Sequence, residues 1–124
     1  MTKIAIISGS AFALLSVVMG AFGAHLLKDS LSDYSKTIYE KAVLYQMFHA
    51  LGILILTMIQ QNLNNVDLSV SIWLFILGIV FFSGSLYILA LSEIKIVGFM
   101  TPIGGTLFIL GWIVTIIKVY KSSF

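Results

Sequence analysis

Four apolar stretches, roughly Ile4–Leu27, Ala42–Ile59, Leu68–Leu91 and Ile96–Lys118, occupy nearly all of a 124-residue chain. Each approaches the about 20 helical residues that cross about 30 Å of hydrocarbon at about 1.5 Å per residue. Residues are 60% hydrophobic and only 10% charged, too few polar side chains to coat a water-facing surface around so much apolar area. A barrel strand needs about 10 residues of alternating pattern, and none of the stretches alternates. The expected structure is an all-α membrane protein, a four-helix transmembrane bundle. The spans leave no room for a separate soluble domain, so residues 1–124 are expected to form one four-span unit.

The first stretch has some look of a signal peptide, with Lys3 before it and Ala21, Gly23 and Ala24 closing it. A signal core runs about 7–15 residues, and this stretch is longer, so it is expected to stay as a span. There is no cysteine, which excludes disulfides, thiolate chemistry and cysteine-held metals. A net charge of +2 gives no footing for nucleic acid. All seven basic residues are lysines near span ends, where their stems can snorkel toward headgroups. Lys3, Lys118 and Lys121 share the side of the termini; Lys28, Lys36, Lys41 and Lys95 lie opposite. That count does not decide orientation, although Asp29, Asp33, Glu40 and Glu93 tilt net charge toward cytoplasmic termini.

The connections are unequal. Gln60–Asp67 is a polar turn, and Ser92–Lys95 is so short that the third and fourth spans must be antiparallel neighbours. In the Lys28–Lys41 link, Leu31, Tyr34, Ile38, Ala42 and Tyr45 recur at helical spacing. Asp33, Lys36, Glu40 and Lys41 take the other face. The link therefore reads as an amphipathic interfacial helix running into the second span, with Ser30 or Ser32 as its cap. The alternative is a simple extension of that span into water.

Small residues line particular faces. Ser16, Gly20 and Ala24 follow one another at four-residue spacing, as do Thr101 and Gly105, while Gly104 and Gly111 are seven apart. Such faces let helices approach closely in lipid, either inside one bundle or between copies in a homo-oligomer. Gly84 adds a small site in the third span. Pro102 lies in the first turns of the fourth span, where its missing N–H is either harmless or opens a kink.

His25 closes the first span and His49 lies inside the second, both toward the membrane face opposite the termini. An ionisable residue within a span is costly enough to be a functional candidate by default. Tyr45 and Gln46 share the His49 face. Ser83, Gly84, Ser85 and Tyr87 in the third span, with Thr101 and Pro102 in the fourth, bring polar character into the same leaflet. Such a concentration suits a half-membrane binding cavity and equally a hydrogen-bonded bundle end. The imidazoles fit a small amphiphile or lipid site, a proton relay or interhelical glue. They make a poor metal or haem cage with neither carboxylates nor thiols nearby. No acid lies deep in a span, which weakens ion-coupled transport, and no Ser–His–Asp set is arranged for hydrolysis. Trp73 and Tyr120 read as belt residues and Trp112 as a packing residue.

Four ordered blocks carry a resemblance: Gly20-Ala-Phe-Gly-Ala-His25, Tyr45-Gln-Met-Phe-His-Ala-Leu51, Phe82-Ser-Gly-Ser-Leu-Tyr87 and Thr101-Pro-Ile-Gly-Gly105. Together the chain resembles the domain of unknown function 423 family, small four-span membrane proteins of bacteria with eukaryotic relatives. The resemblance covers essentially the whole chain. It implies a retained first helix, a bacterial inner-membrane setting and cytoplasmic termini, with no activity to transfer.

The leading functional expectation is a non-enzymatic membrane protein without a cofactor or metal. In it, His25, Tyr45, Gln46, His49, Ser83, Tyr87 and Thr101 form a face that binds a lipid, quinone or similar small amphiphile. Its expected partners are membrane lipids, further copies of the chain and such a ligand. The alternative is a small oligomeric transporter or channel.

Overall fold

The computed structural model describes residues 1–123. Among them, α1 spans Thr2–His25, α2 Asp33–Asn62, α3 Ser69–Ser92 and α4 Met100–Lys121, with a short 3-10 helix, Lys95–Phe99, leading into α4. All four long helices are apolar and long enough to cross a membrane. The 24 residues of α1 and of α3 correspond to about 36 Å each. The 30 residues of α2 reach about 45 Å, about 15 Å more than the hydrocarbon needs.

That excess length settles the form of the link. Helix α2 starts at Asp33 and runs unbroken into the second span, so the link carries no separate helix of its own. Ser32 caps it, its hydroxyl oxygen accepting from the Ser35 backbone N–H at 3.1 Å. The inward face also differs from the expected one. Ser35, Ile38, Tyr39 and Ala42 are buried, whereas Tyr34 is 71% exposed and Tyr45 39%. Polar side chains end a hydropathy window, but a capped helix continues through them because its backbone bonds are internal.

The helices follow one another in space as in sequence: α1 packs on α2, α2 on α3 and α3 on α4. Burial is accordingly 44% and 39% in the apolar windows of α2 and α3, against 17% in those of α1 and α4. The outer pair turn most of their surface to lipid. Two apolar clusters hold the interior. Ile53, Leu56, Leu68, Ile72, Phe75, Ile79 and Phe108 lie toward the termini. Ile38, Tyr39, Ala42, Leu86 and Ala90 lie toward the other end.

Close helix approach is set by a few residues without bulk. A Cβ on Gly104 would stand 2.3 Å from the Phe82 backbone nitrogen, so α4 there rests on the main chain of α3. Gly111 similarly receives the Phe75 ring. On α1 the positions in tight contact are Gly9 against Leu54, buried Ser16, and Gly23 under the Tyr39 ring, a seven-residue repeat. They replace most of the Ser16, Gly20 and Ala24 face: Gly20 meets only Val43 at ordinary distance and Ala24 is exposed. Gly105 has only ordinary contact with the Phe82 ring, and Gly84 has nothing within 4 Å. Pro102 is the third residue of α4, in the turn where a missing N–H costs least, and the helix runs through it without a break.

Gly104→Ala is expected to lower the unfolding midpoint in mild detergent, by a stability loss of about 1–3 kcal/mol, because the added methyl meets backbone that cannot rotate away. Gly84→Ala, into open space, is expected to leave the midpoint unchanged or slightly raised. Equal losses in the two variants would contradict the α3–α4 contact.

Candidate functional site

Between the two apolar clusters lies a belt of polar side chains. Gln46 and His49 come from the inward face of α2 and Ser83 from α3, with 3%, 6% and 0% exposure. At this depth lipid offers no hydrogen bonds, so each group needs a partner inside the protein. Gln46 has one at each end. Its Nε2 donates to the Phe12 carbonyl of α1 at 2.9 Å, and its Oε1 accepts from the Tyr87 hydroxyl of α3 at 2.8 Å. One side chain thus ties three helices. Ser83 donates across to the Ala42 carbonyl at 2.7 Å. The Ser85 and Thr101 hydroxyls meet at 2.6 Å and join α3 to α4.

His49 makes the remaining tie. Trp112 Nε1 can only donate, and it lies 3.1 Å from His49 Nε2, which must therefore accept. Nδ1, 2.8 Å from the Tyr45 carbonyl, must then carry the proton. This assigns one neutral tautomer and consumes both ring nitrogens. The ring is stacked on Phe108 with centroids 3.6 Å apart and meets the Phe75 edge. A second proton would set two N–H groups head to head at Trp112, so the geometry suits a structural imidazole better than a proton carrier or metal ligand. Among the described residues no cluster of three His, Cys, Asp or Glu could hold a metal ion.

Of the seven expected site residues, five are brought into this belt: Gln46, His49, Ser83, Tyr87 and Thr101. His25 is exposed at the end of α1 and makes no ring or hydrogen-bond contact with His49. Sixteen residues, about 24 Å of helix, separate Asp33 at the start of α2 from His49. Tyr45 is partly exposed and lies on the Phe82 ring, 4.6 Å between centroids. Sequence reasoning missed Trp112 as the His49 partner. The available signal was an indole N–H in an apolar span, which needs an acceptor within reach.

Open space lies elsewhere, where α1 ends beside the overhanging first turns of α2. A lateral cleft of about 510 Å³ has Gly20, Gly23 and Ala24 on one wall and Tyr39, Val43 and Leu44 on the other. Lys28, Lys36 and Glu40 also line it, from the polar segment that projects to headgroup level. Its floor is made by Tyr39, whose ring lies on Gly23 and whose hydroxyl donates to the Met19 carbonyl. Of these, the sequence marked Gly20 and Ala24 as packing residues and Lys28, Lys36 and Glu40 as polar residues at span ends, and none of them as lining a cleft.

Comparison with known proteins agrees with this picture of a membrane bundle. The family described as "Protein of unknown function (DUF423)" matches residues 19–105. The chain belongs to the DUF423 family. A UPF0382 membrane protein of Staphylococcus epidermidis is 50% identical over 121 residues, 98% of each chain. The UPF0382 membrane protein YwdK of Bacillus subtilis is 41% identical over 120 residues, 96% of this chain and 98% of that one. No solved structure matches. The protein is thus a multi-pass integral membrane protein of a family whose description assigns no activity.

In this DUF423 chain the four blocks that carry the resemblance all fall at the end opposite the termini or in the polar belt. Gly20–His25 forms a cleft wall and the end of α1, Tyr45–His49 and Phe82–Tyr87 supply the belt, and Thr101–Gly105 docks α4 on α3.

Removing one belt partner should cost stability rather than expose a site. Gln46→Leu leaves the Tyr87 hydroxyl without its acceptor and takes one donor from the Phe12 carbonyl, which keeps that of Ser16, and is expected to cost about 1–3 kcal/mol. Trp112→Phe, which keeps one aromatic ring but removes the donor and part of the indole, is expected to cost at least about 0.5–1.5 kcal/mol. Chemical unfolding in detergent reads both. No loss in either variant would contradict the belt as the tie between helices.

Proposed function

We propose that this protein is a non-enzymatic membrane protein that binds a lipid-like amphiphile laterally in the cleft between α1 and α2. The observation that carries this reading is the cleft itself. It has an apolar interior built from small residues and a rim with two lysines and one glutamate. A volume of about 510 Å³ falls within the about 300–1,000 Å³ of small-molecule sites. An acyl chain fits the interior, and an anionic headgroup fits Lys28 and Lys36, each lysine near a membrane surface contributing about 1 kcal/mol. The reading moves the amphiphile from the His49 face, where the polar groups already have partners, to the neighbouring cleft.

The same belt supports binding over conduction, because its polar groups are turned to one another rather than to a passage. With the chain in a bacterial inner membrane and its termini cytoplasmic, as net charge favours, the cleft opens in the outer leaflet.

Native mass spectrometry from mild detergent, with phosphatidylglycerol titrated in, tests the reading. The expected result is one lipid retained per chain. Ala24→Leu, which fills the cleft from an exposed position, is expected to reduce occupancy at least fivefold with an unchanged unfolding midpoint. The double variant Lys28→Gln/Lys36→Gln is expected to weaken binding about tenfold or more. Equal occupancy in the wild type and Ala24→Leu would overturn the assignment.

A further inference from the structure

On the opposite side of the first turns of α2 lies a second pocket, of about 670 Å³, lined by Tyr34, Ser35, Leu89, Glu93, Lys95 and Gly98. It sits where the start of α2, the end of α3 and the 3-10 helix meet. Ile94, Ile96 and Phe99, sequence neighbours of its lining residues, are exposed.

Three features of its lining are unusual for plain helix packing. Ser35 is only 2% exposed and lines the pocket, and its backbone N–H is taken by Ser32, while the one fully buried side-chain oxygen without a partner among the described residues is Ser71 Oγ, elsewhere on α3. Ser35 is the third residue of α2, so no carbonyl of that helix lies one turn behind its hydroxyl, which is left to the pocket. Glu93 adopts the left-handed conformation, φ 57° and ψ 22°, at the position after α3 where glycine is the ordinary residue. A glutamate kept in that strained geometry points to a use for its side chain. Lys95 lies two residues on, and both charged side chains are exposed at the pocket mouth.

We propose that this pocket binds a small zwitterion, a molecule carrying a primary ammonium and an oxyanion a few bonds apart. The ammonium lies against the Glu93 carboxylate. The oxyanion lies against Lys95, the Ser35 hydroxyl and the Tyr34 hydroxyl, near the positive end of the α2 dipole. A simple anion meets repulsion from Glu93 and a simple cation from Lys95, whereas a zwitterion satisfies both and completes the hydrogen bonding of Ser35. Two sources carry this chemistry: the headgroup of an aminophospholipid and a free α-amino acid. The site is separate from the α1–α2 cleft and stands or falls without it.

Isothermal titration calorimetry of the detergent-solubilised full chain tests the proposal with four probes: glycerophosphoethanolamine, glycine, glycerol phosphate and ethanolamine. Saturable binding of at least one zwitterion is expected, with glycerol phosphate and ethanolamine at least tenfold weaker. Preference for glycerophosphoethanolamine identifies a lipid headgroup as the source, and preference for glycine a free amino acid. Glu93→Gln and Lys95→Gln are each expected to weaken binding at least tenfold, while Ala24→Leu in the other cleft leaves it unchanged. Glu93→Gly separates binding from folding: relief of the left-handed strain is expected to raise the unfolding midpoint while binding is lost. Absence of saturable zwitterion binding, equal affinity for glycerol phosphate, or unchanged binding in Glu93→Gln would overturn the proposal.

Discussion

Inside a bilayer a polar group finds no solvent to bond, and the arrangement of this protein follows from how its second helix meets that constraint. Helix α2 carries Gln46 and His49 at mid-depth, flanked above and below by apolar clusters. Gln46 reaches α1 and α3, and His49 reaches α4 through Trp112. The outer helices have most of their surface in lipid, where hydrophobic drive between helices is absent. Directed hydrogen bonds, close backbone approach at Gly104 and the seating of the Tyr39 ring on Gly23 then decide which faces meet.

The length of α2 has a second consequence. Its first turns extend past the hydrocarbon and hold the polar residues Lys36, Glu40, Tyr34 and Ser35 beside the ends of α1 and α3. A cleft opens on one flank of these turns and a pocket on the other. The interior is occupied with its own cohesion, and the surfaces that remain available for binding lie at this end of the molecule. Rigidity in the belt and openness at the overhang are therefore two results of one long helix.

The helical membrane fold was legible in hydropathy and span length. A serine cap was legible before the charged first turn, with Ser30 and Ser32 as alternatives until the Ser35 N–H bond to Ser32 decided between them. The helical spacing of Leu31, Tyr34, Ile38, Ala42 and Tyr45 also carried the helix through the link into the second span. It did not show which face turns inward, because Ser35 and Tyr39 are buried in place of Tyr34 and Tyr45. Spacing showed small residues on α1 but left the inward face open. Gly9, Ser16 and Gly23 lie inward because Leu54 and Tyr39 on α2 need the room, and that is a property of the pair of helices. Likewise Gln46 and His49 stood out as costly residues, while their partners did not. A carbonyl at Phe12 carries no mark in sequence, and the indole of Trp112 reads as apolar bulk. His25 and His49 share a side of the membrane, but helix rise separates them in depth.

The central claim is that buried polar residues hold the helices together, leaving the α1–α2 cleft as the surface that takes up lipid. The most direct test is photo-crosslinking in membranes with a phospholipid bearing a diazirine in its acyl chain, followed by mapping of the labelled residues. Leu44 on the cleft and Ile116 on α4 are 53% and 67% exposed, so bulk lipid alone would label both. The account predicts label concentrated on Leu44 and Val43 over Ile116 and Ile109, and it predicts that Ala24→Leu removes the difference. Even labelling along all four helices, unchanged by that variant, would contradict it.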